Sequence, residues 1–137
     1  MGTRINLNDT YSYEFMFTQE DVENFAKASG DFNPIHLDED FAKKSIFKRR
    51  ILHGFLGGSV FSKVFGTLFP GKGTIYLKQD MTFLRPMFTN ENYTANFKIL
   101  EVNLEKSRAL VQTQILNKDS QKLIINGEAL IQHDSIQ

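Results

Sequence analysis

The segment Asp31-Phe32-Asn33-Pro34-Ile35-His36 places a carboxylate and an imidazole five residues apart in the sequence. Because Pro34 fixes its own φ angle and restricts the dihedrals of Asn33, the turn is stiff and the two side chains could converge on one point. Two proton-handling groups held together in this way can add water to a substrate or remove it. Asp, Asn and Pro also favour turns for structural reasons alone, so the spacing by itself favours a structural turn.

A second candidate feature is the His53-Gly54 pair, which opens a strongly apolar stretch. The first N–H groups of a helix have no partner within it and lie at the positive end of its dipole, so a carbonyl oxygen can bind there. Glycine also lets a substrate approach that backbone closely. One such donor contributes about 3–4 kcal/mol to an oxyanion-like transition state. Alone, the pair indicates nothing more than an ordinary loop-to-helix turn.

The apolar stretch over 54–69 predicts a helix that is buried on almost every side, because Lys63 is its only charge. Pro70-Gly71 ends it. A helix of this length is too short to cross a bilayer comfortably, so we expect no membrane partner.

The remaining elements are predicted from periodicity and from end signals. Thr18 and Asp21 form a capping-box pattern that predicts a helix over 19–29, ended by Gly30. We expect an irregular segment over 31–36 and a helical turn over 38–44. Alternating residues predict strands over 11–17, 74–83, 93–102, 108–116 and 123–132. One apolar helix and about five antiparallel strands fit an α+β fold in which a curved sheet wraps around the helix, the hot-dog arrangement.

Composition narrows the possible classes of protein. The 137 residues, 41% of them hydrophobic, are expected to form one domain over 1–137. Sixteen basic residues offset sixteen acidic ones, which argues against nucleic acid as a partner. The chain has no cysteine, so thiolate chemistry and Cys-based metal sites are excluded. Residues 1–9 lack the pattern of a secretory signal, and we expect a cytoplasmic protein. Thirteen Phe residues are a heavy apolar load that a partner subunit could share.

With the motifs at 31–36 and 53–54, the sequence closely resembles the MaoC-like hydratases. Among these, it is most similar to the short, single-domain (R)-specific enoyl-CoA hydratases. The similarity covers about 13–131 and is carried by the segments SGDFNPIHLD (29–38), ILHGF (51–55), PGKG (70–73) and FLRP (83–86). The D-x-N-P-x-H element combined with a downstream H-G helix start is specific. Thr89-Asn90-Glu91 departs from the Gly-Asp turn frequent in relatives, but Asn tolerates left-handed dihedrals and should preserve the turn.

The resemblance implies a hot-dog homodimer that adds water to trans-2-enoyl-CoA and yields the (R)-3-hydroxyacyl product. It maps the catalytic pair onto Asp31 and His36 and implies no metal or redox cofactor. With the Gly54 amide bound to the thioester carbonyl, C3 becomes electrophilic and water attacks it. Which member of the pair takes the water proton stays open, because both could hold the same water.

Three residues are expected to support the pair. Asn33 lies within the motif, His53 precedes Gly54, and the resemblance places Ser62 near the catalytic residues. A helix hydroxyl such as that of Ser62 more often bonds to its own backbone. Gly57-Gly58 weakens a helix by about 1 kcal/mol per residue relative to Ala, which indicates a need for space, either for an acyl chain or for close packing.

Two basic segments could meet the phosphates of coenzyme A. They are the run Lys48-Arg49-Arg50 and the single residue Lys72. Most such runs are solvated surface, and that interpretation is the more common outcome.

Three other functions are consistent with the fold. A dehydratase would run the reverse reaction on coenzyme A or acyl-carrier-protein thioesters, and one site catalyses both directions. A hot-dog thioesterase would need an acid on the helix, but none is present over 54–69. A non-catalytic acyl-binding protein would not need both Asp31 and His36.

Overall fold

A computed structural model of the chain describes residues 4–137. The expectations for residues 1–9 and for one domain over 1–137 therefore fall partly on residues 1–3, which lie outside the described residues. The elements, in chain order, are β1 (Thr10–Phe15), α1 (Gln19–Ser29), α2 (Pro34–Leu37), α3 (Glu39–Lys43), α4 (Gly54–Thr67), β2 (Ile75–Gln79), β3 (Thr82–Phe83), β4 (Tyr93–Asn103), β5 (Arg108–Asn117) and β6 (Leu123–Gln132).

The strands form one antiparallel sheet in the order β1-β4-β5-β6-β2, and β3 also pairs with β6. The apolar helix α4 packs against one face of this sheet, as the predicted hot-dog arrangement requires. The inward residues of β4 alternate with more exposed ones, as expected for a sheet with a single covered face. The structure therefore confirms the predicted fold class.

The centre of the core is aromatic. Phe61 and Phe65 on α4 pack edge-on against Phe97 of β4, with ring centroids 5.7 and 5.3 Å apart, respectively. All three side chains are essentially inaccessible to water. Edge-to-face pairs of this kind stabilise the fold beyond the effect of burial alone, so these rings fix the helix on the sheet.

The prediction of a helix buried on almost every side is wrong for the single chain. The helix ends at Thr67, two residues earlier than expected, and one face of it is open to solvent. Phe55 is 67% exposed, and Ser59, Ser62 and Gly66 are exposed on the same helix. The reason is geometric, because the sheet of one chain covers only one side of α4.

The strand predicted over 74–83 is divided into β2 and β3. At Asp80 the backbone N–H donates to the Glu128 carbonyl (3.0 Å) and the carboxylate accepts from the Glu128 N–H (3.1 Å), which interrupts the regular ladder. Asp80 also lies so close to Gly127 that any Cβ at position 127 would overlap the Asp80 carbonyl oxygen. The sheet therefore has six strands, where about five were expected.

The first helix is confirmed with both of its predicted ends. The capping box between Thr18 and Asp21 is present, and Gly30 adopts the left-handed conformation at the other end. The segment expected to be irregular instead contains α2, because Asn33 caps it with its side chain and Pro34 occupies its first turn. Asn90 has a φ of 61°, which confirms the expected left-handed turn residue.

Two smaller boundaries also differ. β1 ends at Phe15, two residues before the predicted end, where the chain leads into the cap of α1. The turn expected over 38–44 is the short helix α3, capped by Asp38. Among residues 4–137, no helix combines the length and the apolar composition required to cross a membrane.

Candidate active site

Asp31 and His36 are held by the turn between α1 and α2. The Asp31 carboxylate accepts the Asn33 backbone N–H (3.2 Å), and the Asn33 carbonyl accepts the His36 N–H (3.1 Å). The Asn33 side chain accepts the Ile35 N–H (3.1 Å) and starts α2. The hydrogen bonds of Asn33 thus fix the backbone between Asp31 and His36. Asp31 is exposed, whereas His36 is only 8% exposed.

The ring of His36 is oriented by the segment that precedes α4. Its Nδ1 lies 2.8 Å from the Ile51 carbonyl oxygen. Because a carbonyl can only accept, Nδ1 carries the proton and Nε2 keeps a lone pair. Burial lowers the pKa of His36 below its ordinary value of 6.5; the bond to Ile51 opposes this shift, His53 adds to it and Asp31 opposes it. A neutral imidazole with a free nitrogen is suited to accept a proton.

His53 joins this turn to α4. It is 2% exposed and precedes the helix, and its Nε2 lies 3.0 Å from the Asp31 carbonyl oxygen. Its ring stacks on that of His36, with centroids 3.9 Å apart and an interplanar angle of 28°. The structure therefore brings the predicted pair and a predicted supporting residue together.

The spacing of these three side chains suits the binding of a water molecule. Each offers one polar side-chain atom, and the three atoms lie within 4.8 Å of one another. Two hydrogen bonds of roughly 2.8 Å span up to about 5.6 Å, so one water can reach both the Asp31 carboxylate and the His36 ring. The arrangement is one that can hold and deprotonate a water molecule.

Two imidazoles and a carboxylate are also atom types that bind divalent cations. Their geometry here is unfavourable for one shared ion. The stacked rings of His36 and His53 are nearly parallel, so their in-plane lone pairs do not converge on a point about 2.1 Å from both. The donor set fits proton handling better than metal binding.

Gly54 begins α4 beside this cluster. The amides of Leu56 and Gly57 donate to the His53 carbonyl (3.0 and 3.2 Å), whereas the Gly54 N–H has no acceptor within residues 4–137. A Cβ at position 54 would lie 2.7 Å from the ring of Phe83, so a larger residue there would require the Phe83 side chain to shift. The helix therefore presents a free donor at its positive end.

A cavity of about 400 Å³ opens at this end of the helix. Its wall is mostly apolar, as ligand pockets usually are, and Asp31 stands outside the wall. It is lined by His36, Phe47, Ile51, Leu52, His53, Gly54, Phe55, Phe83, Leu84, Arg85, Pro86, Met87, Ile124 and Ile125.

Phe83 and Met87 also line the cavity, although no role was predicted for either of them from the sequence. Both residues flank Arg85-Pro86. The sequence signal that could have identified them is the alternation of positions 83, 85 and 87. Met87 also explains Gly57, since a Cβ there would lie 2.6 Å from the Met87 sulfur. At Gly58 a Cβ would lie 2.5 Å from the Met81 sulfur. Both glycines therefore pack closely against methionine side chains.

Two predicted site residues are not brought to this cluster. Ser62 is exposed and makes no hydrogen bond with Asp31 or His36 among the described residues, since it lies two turns along α4, about 12 Å from Gly54. Lys72 follows the far end of α4, about 20 Å from the cavity. Both positions follow from the straight path of the helix.

The basic run Lys48-Arg49-Arg50 lies between Phe47 and Ile51 in the sequence and lines a separate surface pocket. Arg49 pairs with Glu91 (2.7 Å) and its guanidinium lies over the Phe88 ring. Arg50 pairs with Glu39 (3.0 Å). Lys48 lines the same surface pocket as these arginines and makes no ion pair among residues 4–137.

Comparison with known proteins gives a consistent result. The family model described as "MaoC like domain" matches residues 4–121. The (R)-specific enoyl-CoA hydratase of Aeromonas caviae is 39% identical over 115 residues, which cover 84% of this chain and 85% of that protein. The solved structure of the A. caviae (R)-hydratase has a TM-score of 0.89 at 35% identity, covering 93% of this chain and 96% of that one. A mitochondrial 3-hydroxyacyl-[acyl-carrier-protein] dehydratase of Arabidopsis thaliana is 27% identical over 129 residues, 93% of this chain and 76% of that protein.

Proposed function

Since the chain belongs to the MaoC-like domain family, we propose that it is a hydro-lyase that hydrates trans-2-enoyl-CoA to (R)-3-hydroxyacyl-CoA. One observation carries the proposal. The polar atoms of Asp31 and His36 lie within 4.8 Å of each other, beside a helix start with a free amide and an apolar cavity. Relatives named as hydratases and dehydratases support the same reaction class.

In this mechanism the thioester carbonyl accepts a hydrogen bond from the Gly54 N–H. That bond withdraws electrons from the conjugated double bond and stabilises the enolate formed when the nucleophile attacks C3. The dipole of α4 adds to the effect because its positive end faces the carbonyl. The apolar wall beyond Gly54 receives the acyl chain and keeps bulk water away.

Asp31 and His36 handle the water. Its oxygen bonds to C3, one of its protons passes to the pair, and a proton is delivered to C2 on the same face, so that water is added across the double bond. Because the pKa of His36 is lowered by burial, its ring is neutral near pH 7 and can accept the proton at Nε2. Asp31 can equally accept it, and the geometry leaves that division open.

We assign the phosphates of coenzyme A to the basic run rather than to Lys72. Lys48, Arg49 and Arg50 lie at the end of α4 that carries the cavity, whereas Lys72 lies at the other end. The two arginines are already paired with glutamates, so Lys48 is the residue of the run with the most freedom to bind an anion. No cofactor is proposed, because coenzyme A is part of the substrate.

A dehydratase acting on 3-hydroxyacyl thioesters is the second candidate function. The same pair and the same amide would remove water in the reverse direction, and the Arabidopsis relative is named for an acyl-carrier-protein substrate. A thioesterase is less well supported, because α4 carries no acid to activate water at the carbonyl carbon. A purely acyl-binding protein leaves the paired acid and imidazole without a purpose.

We also propose that the chain forms a homodimer. β2 is an edge strand, and Ile75, Tyr76 and Leu77 on it are 51%, 36% and 41% exposed. The uncovered face of α4, with Phe55, lies next to this edge. Pairing of two such edges would cover apolar surface that a lone chain leaves in water. The cytoplasmic location expected from the sequence stays a prediction.

The test is to mix purified protein with crotonyl-CoA and to follow both the enoyl absorbance and the free thiol. We expect loss of absorbance without release of coenzyme A, and a product of R configuration. Release of coenzyme A without hydration would support the thioesterase instead. Sedimentation of the same sample checks the dimer, and a mass equal to one chain would contradict it.

A further inference from the structure

The geometry points to His53 as the positioning residue that connects the Asp31 turn, the His36 ring and the start of α4 as one rigid unit. In this role His53 touches no substrate and acts through its Nε2–H tautomer. The inference rests on the proposed hydration reaction and assigns a further residue to it.

The first contact is the hydrogen bond from His53 to the turn. Its Nε2 lies 3.0 Å from the carbonyl oxygen of Asp31, so Nε2 is the donor and carries the ring proton. The bond holds the main chain of Asp31, not its carboxylate. The Asp31 carboxylate therefore stays available for water, while the hydrogen bond from His53 fixes the backbone that carries it.

The second contact is with the rings on either side. The His53 ring lies 3.9 Å from that of His36 and 4.8 Å from that of Phe25, centroid to centroid. The His36 ring therefore has two fixed contacts, the stacked His53 ring on its face and the Ile51 carbonyl oxygen at its Nδ1. The direction of the free nitrogen of His36 depends on both contacts.

The third contact is with the helix. The His53 carbonyl accepts the first amide bonds of α4, from Leu56 and Gly57. A shift of His53 would thus move the Gly54 amide relative to Asp31 and His36. Because reactions of this kind are sensitive to displacements of about 1 Å, one residue that links all three groups can control the rate.

An ordinary core histidine is the competing interpretation, and the Nδ1 atom argues against it. Nδ1 of His53 is buried and has no hydrogen-bond partner within residues 4–137. An unpaired buried polar atom is destabilising, and an apolar ring such as Phe would avoid it. We therefore expect the histidine to be useful for its Nε2–H, not for its volume.

Two substitutions separate the donor from the ring. His53→Phe keeps the ring and removes the donor, whereas His53→Gln keeps an N–H at a similar distance and removes the ring. For His53→Phe we expect kcat on crotonyl-CoA to fall on the order of 100-fold while KM changes little. His53→Gln should recover a clear part of kcat. The matched control is His133, whose Nε2 lies 2.8 Å from the carbonyl oxygen of Lys72, beyond the other end of α4. His133→Phe should retain the wild-type rate.

Nitrogen-15 spectra supply a readout that does not require activity. We expect His53 to show a protonated Nε2 and an unprotonated Nδ1, and the amide of Phe32, which follows the accepting carbonyl, to shift in His53→Phe but much less in His53→Gln. Wild-type kcat in His53→Phe, equal losses in both variants, or a proton on Nδ1 would overturn the inference. If the wild-type protein does not hydrate crotonyl-CoA, the proposed function fails, and the spectra still decide whether His53 holds the turn.

Discussion

The two ends of α4 are built on opposite principles. At the carboxyl-terminal half, Phe61 and Phe65 pack against Phe97, and all three rings are almost completely buried. At the amino-terminal end, Gly54 and Gly57 replace side chains with close backbone contacts, and a cavity of about 400 Å³ opens beside two buried imidazoles. One helix thus has a closely packed half in the core and another half that borders a cavity.

This difference shows how stability and chemistry are separated along one element. The aromatic half buries large rings, which contribute most to the free energy of folding. The glycine half contributes less, but it exposes an unpaired amide and brings the helix backbone close to its neighbours. We therefore expect substitutions at the aromatic end to change stability and those at the glycine end to change activity.

The largest effect on stability should come from Phe97, which both helix rings contact. Phe97→Ala removes a fully buried ring, and such changes typically destabilise a fold by about 3–5 kcal/mol. Urea unfolding measures the loss, and the rate per folded molecule should stay near that of the wild type. A Phe97→Ala variant that stays stable but loses much of its kcat would contradict the claim that the aromatic end determines stability and the glycine end determines activity.

At the other end, Gly54→Ala should act mainly on the reaction. The new Cβ would lie 2.7 Å from the Phe83 ring, so this ring, which lines the proposed substrate cavity, must shift. We expect kcat/KM to fall roughly 10- to 100-fold, since small displacements are costly to catalysis, with only a minor change in the urea midpoint. An unchanged kcat/KM would argue against the Gly54 contact.

The pH dependence of the rate should report the buried imidazole. Because burial lowers the pKa of His36 below 6.5, the ring becomes protonated only at more acidic pH. We expect kcat/KM to fall about tenfold per pH unit below an apparent pKa that is less than 6.5. The His36→Gln variant should lack this step, and an apparent pKa above 6.5 would contradict the assignment.

The same ring also makes stability depend on pH. In the folded chain His36 binds a proton less readily than in the unfolded chain. Its contribution to stability is therefore complete above pH 6.5 and is lost as the pH falls through the folded-state pKa.

The smallest expected effect is a difference in stability between alanine substitutions at two glycines of α4. Nothing lies within 4 Å of a Cβ at Gly66, whereas a Cβ at Gly57 meets the Met87 sulfur and Ile125. Gly66→Ala should stabilise the protein by about 0.5–1 kcal/mol through better helix propensity, and Gly57→Ala should not. Thermal unfolding of the two variants provides the comparison, and equal shifts would mean that Met87 does not limit the space at position 57.

The sequence predicted most of this arrangement because its strongest patterns are local. The capping box at Thr18, the helix stop at Gly30 and the existence of helix α4 each depend on neighbouring residues, and all three were found. The break at Asp80 was missed because it results from a contact with Glu128 and Gly127, which are distant in sequence. The position of Ser62 was missed for a similar reason, since the side of α4 that the sheet covers is set by tertiary packing.

At the site, the Asp31 and His36 motif could be identified from spacing, but its supports could not. The bonds from His36 to Ile51 and from His53 to Asp31 join segments 15 and 22 residues apart. Such contacts leave no periodic pattern. For the cavity-lining residues Phe83 and Met87, the only signal in the sequence was a short alternation next to Arg85-Pro86.

The central claim is that Asp31 and His36 act on one water molecule, and a double-mutant cycle tests it directly. Hydration of crotonyl-CoA is measured for Asp31→Asn, His36→Gln and the double variant, with each rate corrected for the folded fraction. We expect each single change to lower kcat by roughly 10²- to 10⁴-fold and the double change to lower it little further, since groups that act as a unit are not additive. Additive losses would show that the two residues act independently, and wild-type activity in either single variant would contradict the account.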